Sequence, residues 1–114
     1  SAKEVGSVKL IASDLGDSGI DSARALCDSI KDKYADTVAV FAVHDDAKLN
    51  FVAAAGSAAV KAGAHAGKLV GAVSAVTGGK GGGRPDSATS GGKDIAKVSE
   101  ALAAAESVLA GMLK

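Results

Sequence analysis

The sequence predicts an α/β fold: a small mixed β-sheet packed with about three to four helices, in a single compact domain spanning residues 1–114. Three observations predict it. β-forming runs around 7–13, 37–44 and 48–55 are interrupted by a helix-period segment at 21–34. A second well-patterned helical segment closes the chain at 94–113. Hydrophobic types make up 47% of the residues but aromatics only 3%, so the core must be Ala, Val, Leu and Ile in close contact, at a length that suits one domain.

The elements follow in order. Val8 to Ser13 reads as a first strand, and the turn formers of Asp14-Leu15-Gly16-Asp17-Ser18-Gly19 lead into a helix. Across 21–34, Ala23, Leu26, Cys27, Ile30 and Tyr34 recur every three or four residues, which predicts a stripe packed on the sheet. Thr37 to Val43 is a continuous apolar run and predicts a central strand. His44-Asp45-Asp46-Ala47 then turns the chain into a hairpin partner at 48–55, so the first 55 residues read β-α-β-β. Ser57 to Thr77 predicts a short helix, a break near Gly63 to Gly67, and a second helix at 66–77 ending at Gly78. Gly71 inside that helix implies close approach of another backbone. A further short strand is expected at 86–90. In the last helix Ile95, Val98, Leu102, Ala105, Leu109 and Met112 form one stripe, with Asp94 as its N-cap.

Composition excludes several classes of function. The single cysteine, Cys27, permits no internal disulfide and no multi-cysteine zinc site; its place on the apolar stripe predicts a buried structural thiol. No apolar stretch approaches the roughly 20 residues that cross a bilayer, and no secretory leader pattern opens the chain, so a soluble cytoplasmic protein with no membrane partner is expected. Ser1-Ala2-Lys3 reads equally as a cloning remnant or as the interior of a longer chain. Asp45 and Asp46 are adjacent at a turn and point in different directions, which suits turn chemistry better than acid–base catalysis. Asp14 and Asp17 lack EF-hand spacing, and neither His44 nor His65 sits in a ligand pattern, so no metal site is expected.

Charge is unevenly spread. Residues 1–57 carry 6 Lys/Arg against 9 Asp/Glu, and residues 58–114 carry 7 against 4. Between Lys61 and Lys97 the balance is 6 basic to 2 acidic, which would suit a polyanion if those residues cluster in space.

The most informative segment is Gly78-Gly79-Lys80-Gly81-Gly82-Gly83-Arg84-Pro85-Asp86-Ser87-Ala88-Thr89-Ser90-Gly91-Gly92, with seven glycines and the only proline. Glycines permit positive φ and could gather backbone N–H groups into a concave nest, with Lys80 and Arg84 adding charge. Arg84 can make paired bonds to a phosphate, and Pro85 favours an extended Arg84. The alternative, that the glycines serve only tight turns and close packing against Ala-rich helices, stays open on these grounds. Two known phosphate loops are excluded: Gly81 follows Lys80 where a Walker loop needs Ser or Thr, and Arg84 stands where the last glycine of a dinucleotide fingerprint belongs.

This G-G-K-G-G-G-R-P-D-x-A-x-x-G-G pattern, preceded by Ala66-Gly67-Lys68-Leu69-Val70-Gly71, resembles the signature near the C-terminus of bacterial alanyl-tRNA synthetases, in their globular domain of the DHH-associated type. The similarity covers most of the chain; Ser87 departs from the methionine many members carry. The resemblance implies a non-catalytic module that holds the outer corner of folded tRNA, tRNA-Ala in the first place, and supports the upstream aminoacylation and editing domains. It implies no cofactor here, with ATP, Mg²⁺ and Zn²⁺ confined to those upstream domains, and no DNA partner. The tRNA-binding residues it suggests are Lys68, Gly79, Lys80, Gly81, Gly82, Gly83, Arg84 and Lys93. With Tyr34, Phe41 and Phe51 all expected in the core, no aromatic platform for single-stranded bases is foreseen, which favours reading RNA by shape and backbone. Two rivals remain. A substrate-binding lobe of a DHH phosphoesterase would resemble GGGH, where Arg84 follows Gly83 here. A pure oligomerisation domain would need an exposed apolar face on residues 95–112.

Overall fold

A computed structural model describes residues 2–113; Ser1 and Lys114 lie outside the described residues, so only the last two residues of the opening Ser1-Ala2-Lys3 are seen. The elements run β1 (Lys3–Val5), β2 (Val8–Asp14), α1 (Ile20–Lys33), β3 (Thr37–His44), β4 (Leu49–Ala55), α2 (Ser57–Lys61), α3 (Ala66–Val76), β5 (Lys80–Gly83), β6 (Ser87–Gly92), a single 3₁₀ turn (Ile95–Lys97) and α4 (Val98–Met112). The six strands form one mixed sheet in the order β1-β2-β3-β4-β6-β5. Only β2 and β3 are parallel, as their crossover through α1 requires; the other pairs are antiparallel.

The sheet is sandwiched between α1 on one face and α2, α3 and α4 on the other. Alternation along β3 and β4 explains how. Val38, Val40, Ala42, Phe51 and Ala53 pack with Leu69, Val70, Val73, Ala101, Ala105 and Leu109. Ala39, Phe41, Val43, Val52 and Ala54 pack with Ala23 and Cys27 of α1. Burial on both faces is why Thr37–Val43 reads as an unbroken apolar run. Each fully buried Leu, Val or Phe contributes about 1.5–3 kcal/mol, and small partners let the layers approach closely.

The three expected helices and four expected strands are present, with α2 as the short helix before the break. Four corrections follow. An extra strand, β1, precedes the first expected one and turns back through Gly6, whose φ of 58° suits glycine; three residues are too few to show a period. The glycine-rich stretch is a β-hairpin, not a loop, because β5 pairs with β6. Leu26 and Tyr34 are exposed, at 42% and 56%. The buried ridge of α1 is only Ala23 and Cys27, and Tyr34 is the C-cap residue after the helix has ended. Asp94 does cap, accepting from Ala96 N–H at 3.1 Å, but it caps the 3₁₀ turn that leads into α4 and leaves Ile95 exposed.

Candidate nucleic-acid interface

The hairpin of β5 and β6 closes one end of the sheet, with β5 at its edge. No glycine from Gly79 to Gly83 has positive φ; among glycines of the segment only Gly78 does, at 81°. The expected concave nest is therefore absent. An extended glycine strand takes its place, because each alternate glycine is crowded by neighbouring backbone. A Cβ on Gly79 would lie 2.6 Å from the Cα of Gly92, one on Gly81 2.6 Å from the Cα of Ser90, and one on Gly83 3.0 Å from the Cα of Ala88. On α3, a Cβ at Gly67 would stand 2.7 Å from the carbonyl carbon of Gly83, and one at Gly71 3.0 Å from the Gly81 carbonyl oxygen. The close backbone approach expected at Gly71 is thus observed, and Gly67 makes a tighter one.

The N-terminus of α3 is already satisfied from this hairpin. Ala66 N–H donates to Pro85 O at 2.8 Å and Gly67 N–H to Arg84 O at 3.1 Å, while Lys68 N–H donates to His65 Nδ1. These bonds spend the orphan donors that would otherwise attract an anion, and they fix the Arg84–Ser87 turn against the helix.

The candidate cations gather at the two ends of β5, whose four residues span about 13 Å. Lys80 and Lys93 line one cleft with Gly78, Gly79, Gly91 and Gly92. Arg84 stands at the other end with its side chain 76% exposed, its Nε 3.5 Å from Asp86 Oδ1. Lys68 lines a separate groove beside His65 and Pro85, on the α3 side. Lys31 of α1, which sequence spacing did not single out, joins this end by a 3.3 Å contact to Asp86 Oδ2. The hydrogen bond from Lys31, with the charges of Lys31 and Arg84, holds the Asp86 carboxyl below the usual carboxylate range. Only tertiary contact could reveal Lys31, since 55 residues separate it from Asp86.

The other groups are structural. His44 Nε2 contacts both Asp14 oxygens, at 3.0 and 3.1 Å. Partial burial pulls the Asp14 carboxyl up, but Gly16 N–H and His44 outweigh it, so its pKa is lowered. Asp45 accepts from the N–H groups of Ala47 and Lys48, each at 2.8 Å, which is turn chemistry as expected. No cluster of three or more His, Cys, Asp or Glu able to hold a metal occurs among the described residues. No helix of the described residues is long and apolar enough to cross a membrane. On α4, Val98, Ala101, Ala105 and Leu109 are buried in the core, Leu102, Val108 and Met112 are partly buried against it, and the exposed positions are the small or polar Ser99, Glu100, Ala103, Ser107, Ala110 and Gly111.

A family model described as the DHHA1 domain matches residues 7–111. Among curated relatives, an alanine–tRNA ligase of Shouchella clausii (strain KSM-K16) is 46% identical over 101 residues, covering 89% of this chain and 12% of the relative. An alanine–tRNA ligase of Natranaerobius thermophilus is 38% identical over 112 residues, covering 98% of this chain and 13% of the relative. The chain thus spans about an eighth of the length of these relatives. A solved structure, the C-Ala domain from Aquifex aeolicus alanyl-tRNA synthetase, superposes with a TM-score of 0.86 at 28% identity, covering 97% of this chain and 99% of that one.

Proposed function

The chain belongs to the DHHA1 domain family, and we propose that it is the non-catalytic tRNA-binding module of an alanine–tRNA ligase. The observation that carries this reading is the exposed hairpin, where Lys80, Arg84 and Lys93 surround a bare glycine strand at the edge of the sheet. Phosphates approach most closely where no side chain intervenes, and cations at both ends of a 13 Å strand (about four residues at roughly 3.3 Å each) would hold a rigid RNA in register. The partner is folded tRNA, tRNA-Ala in the parent enzyme, held at its outer corner while other domains of the parent chain aminoacylate and edit. ATP, Mg²⁺ and Zn²⁺ would belong to those domains, and the setting would be the cytoplasm.

Phosphate neutralisation releases counterions, so affinity should fall steeply with salt. Lys80→Ala and Arg84→Ala should each lower the slope of log affinity against log salt by about one. The check is a salt series with folded tRNA, competed by the same RNA cut to short oligonucleotides. An affinity indifferent to salt would refute the reading. Equal competition by mononucleotides or short strands would favour a phosphoesterase-type substrate lobe instead.

A further inference from the structure

Resting on that tRNA-binding reading, we infer that the RNA backbone enters the hairpin at two points, Gly82 and Gly91, each of which lies between a pair of cations. Glycines in this region separate by cause. Gly78 has positive φ, and Gly79, Gly81 and Gly83 would collide with β6 if they carried a Cβ. The fold demands these four.

Gly82 and Gly91 are different. A Cβ on Gly82 would meet only the Gly67 carbonyl oxygen, at an ordinary 3.8 Å, and one on Gly91 would meet nothing within 4 Å. Neither has positive φ. Glycine in a strand is less stable than alanine, so two that packing does not require stand where something else comes close to the backbone.

Their positions say what comes close. Gly81 pairs with Ser90, whose hydroxyl faces α3, so Gly81 and Gly83 lie on the α3 face, while Gly82 takes the alternate position between Lys80 and Arg84 along the chain. Gly91 pairs with Lys80 across the hairpin and lines the cleft between Lys80 and Lys93. Its neighbour Ser90 faces α3, donating to Val70 O, so Gly91 faces the opposite side of the sheet. There α1 packs chiefly on β3 and β4, and the space in front of Gly91 is open. The carboxylate beside Arg84, Asp86, is shared between Arg84 and Lys31. Two open backbone gaps, each between two positive side chains, fit successive phosphates of a polyanion better than any neutral or cationic partner.

The test uses Gly82→Val and Gly91→Val in this chain, with Gly111→Ala on α4 as control, and measures melting and binding of an unmodified folded tRNA transcript. Both valine variants should melt close to wild type and lose at least about tenfold in affinity without a change in charge, while Gly111→Ala binds as wild type. If a valine variant melts early, Gly82→Ser and Gly91→Ser, whose smaller side chains fit the open space there, should still weaken binding. Salt-dependent wild-type binding with both glycine variants unimpaired would overturn the two entry points and leave the tRNA-binding reading standing. Failure of the wild type to bind folded tRNA would overturn both.

Discussion

At the scale of single residues, burial separates chemistry from architecture. Cys27 is 2% exposed, its Sγ 3.8 Å from Val52 O. Burial, with a smaller push from Asp28, raises its thiol to about 12. A thiol that stays protonated at neutral pH is a poor nucleophile. Native protein should therefore resist iodoacetamide at pH 8 and react only when unfolded; labelling followed by mass measurement would check this, and rapid native labelling would contradict the buried placement. Exposed Tyr34 runs the other way. Gly56 packs against its carbonyl, and the preceding Ala55 N–H donates to Asp86 O, so Tyr34 stands at the same end of the sheet as Arg84.

Among the elements, α3 and β5 act as one unit because glycine meets glycine. Gly67 and Gly71 let the helix lie on the backbone of Gly83 and Gly81, and the first N–H groups of the helix bind the turn after β5. Gly67→Ala should destabilise by about 2 kcal/mol or more, since neither backbone can yield easily. Gly111→Ala, on a helix with open space around it, should stabilise by about 0.5–1 kcal/mol. Urea midpoints for the two variants would show opposite shifts. A neutral Gly67→Ala would mean that the helix is not seated on the strand as described. The glycine hairpin was half legible: a short strand was expected at 86–90, where β6 lies, whereas Lys80–Gly83 offers no side-chain period from which a strand can be read.

Over the whole molecule, stability should be graded from the centre of the sheet outward. β3 and β4 are paired on both sides and covered on both faces, while β1 and β5 are edges. Amide exchange should be slowest in β3 and β4 and fastest in β1 and β5, measured residue by residue. Slow exchange in free β5 would argue against an edge available to a ligand. An edge held weakly by its own fold can adapt to a partner, which suits a binding hairpin carried on a rigid sheet.

The fold class, the helices and four of the six strands were legible in the sequence, because hydrophobic period and turn residues act over short distances. Lys80, Arg84 and Lys93 marked the glycine-rich segment as the candidate site without showing that it forms a hairpin, and the resemblance of the glycine motif pointed to the family. What the glycines do emerges only from the packed fold. Whether a glycine is demanded depends on which backbone lies opposite it, and Gly81 and Gly82 are indistinguishable until Ser90 is placed against one and open space against the other. The same holds for Lys31, brought to Asp86 by the packing of α1, and for Leu26, left exposed because α1 buries a narrower ridge than its periodicity implies. Local pattern sets which residues can face a core; the shape of the assembled layers sets which of them do.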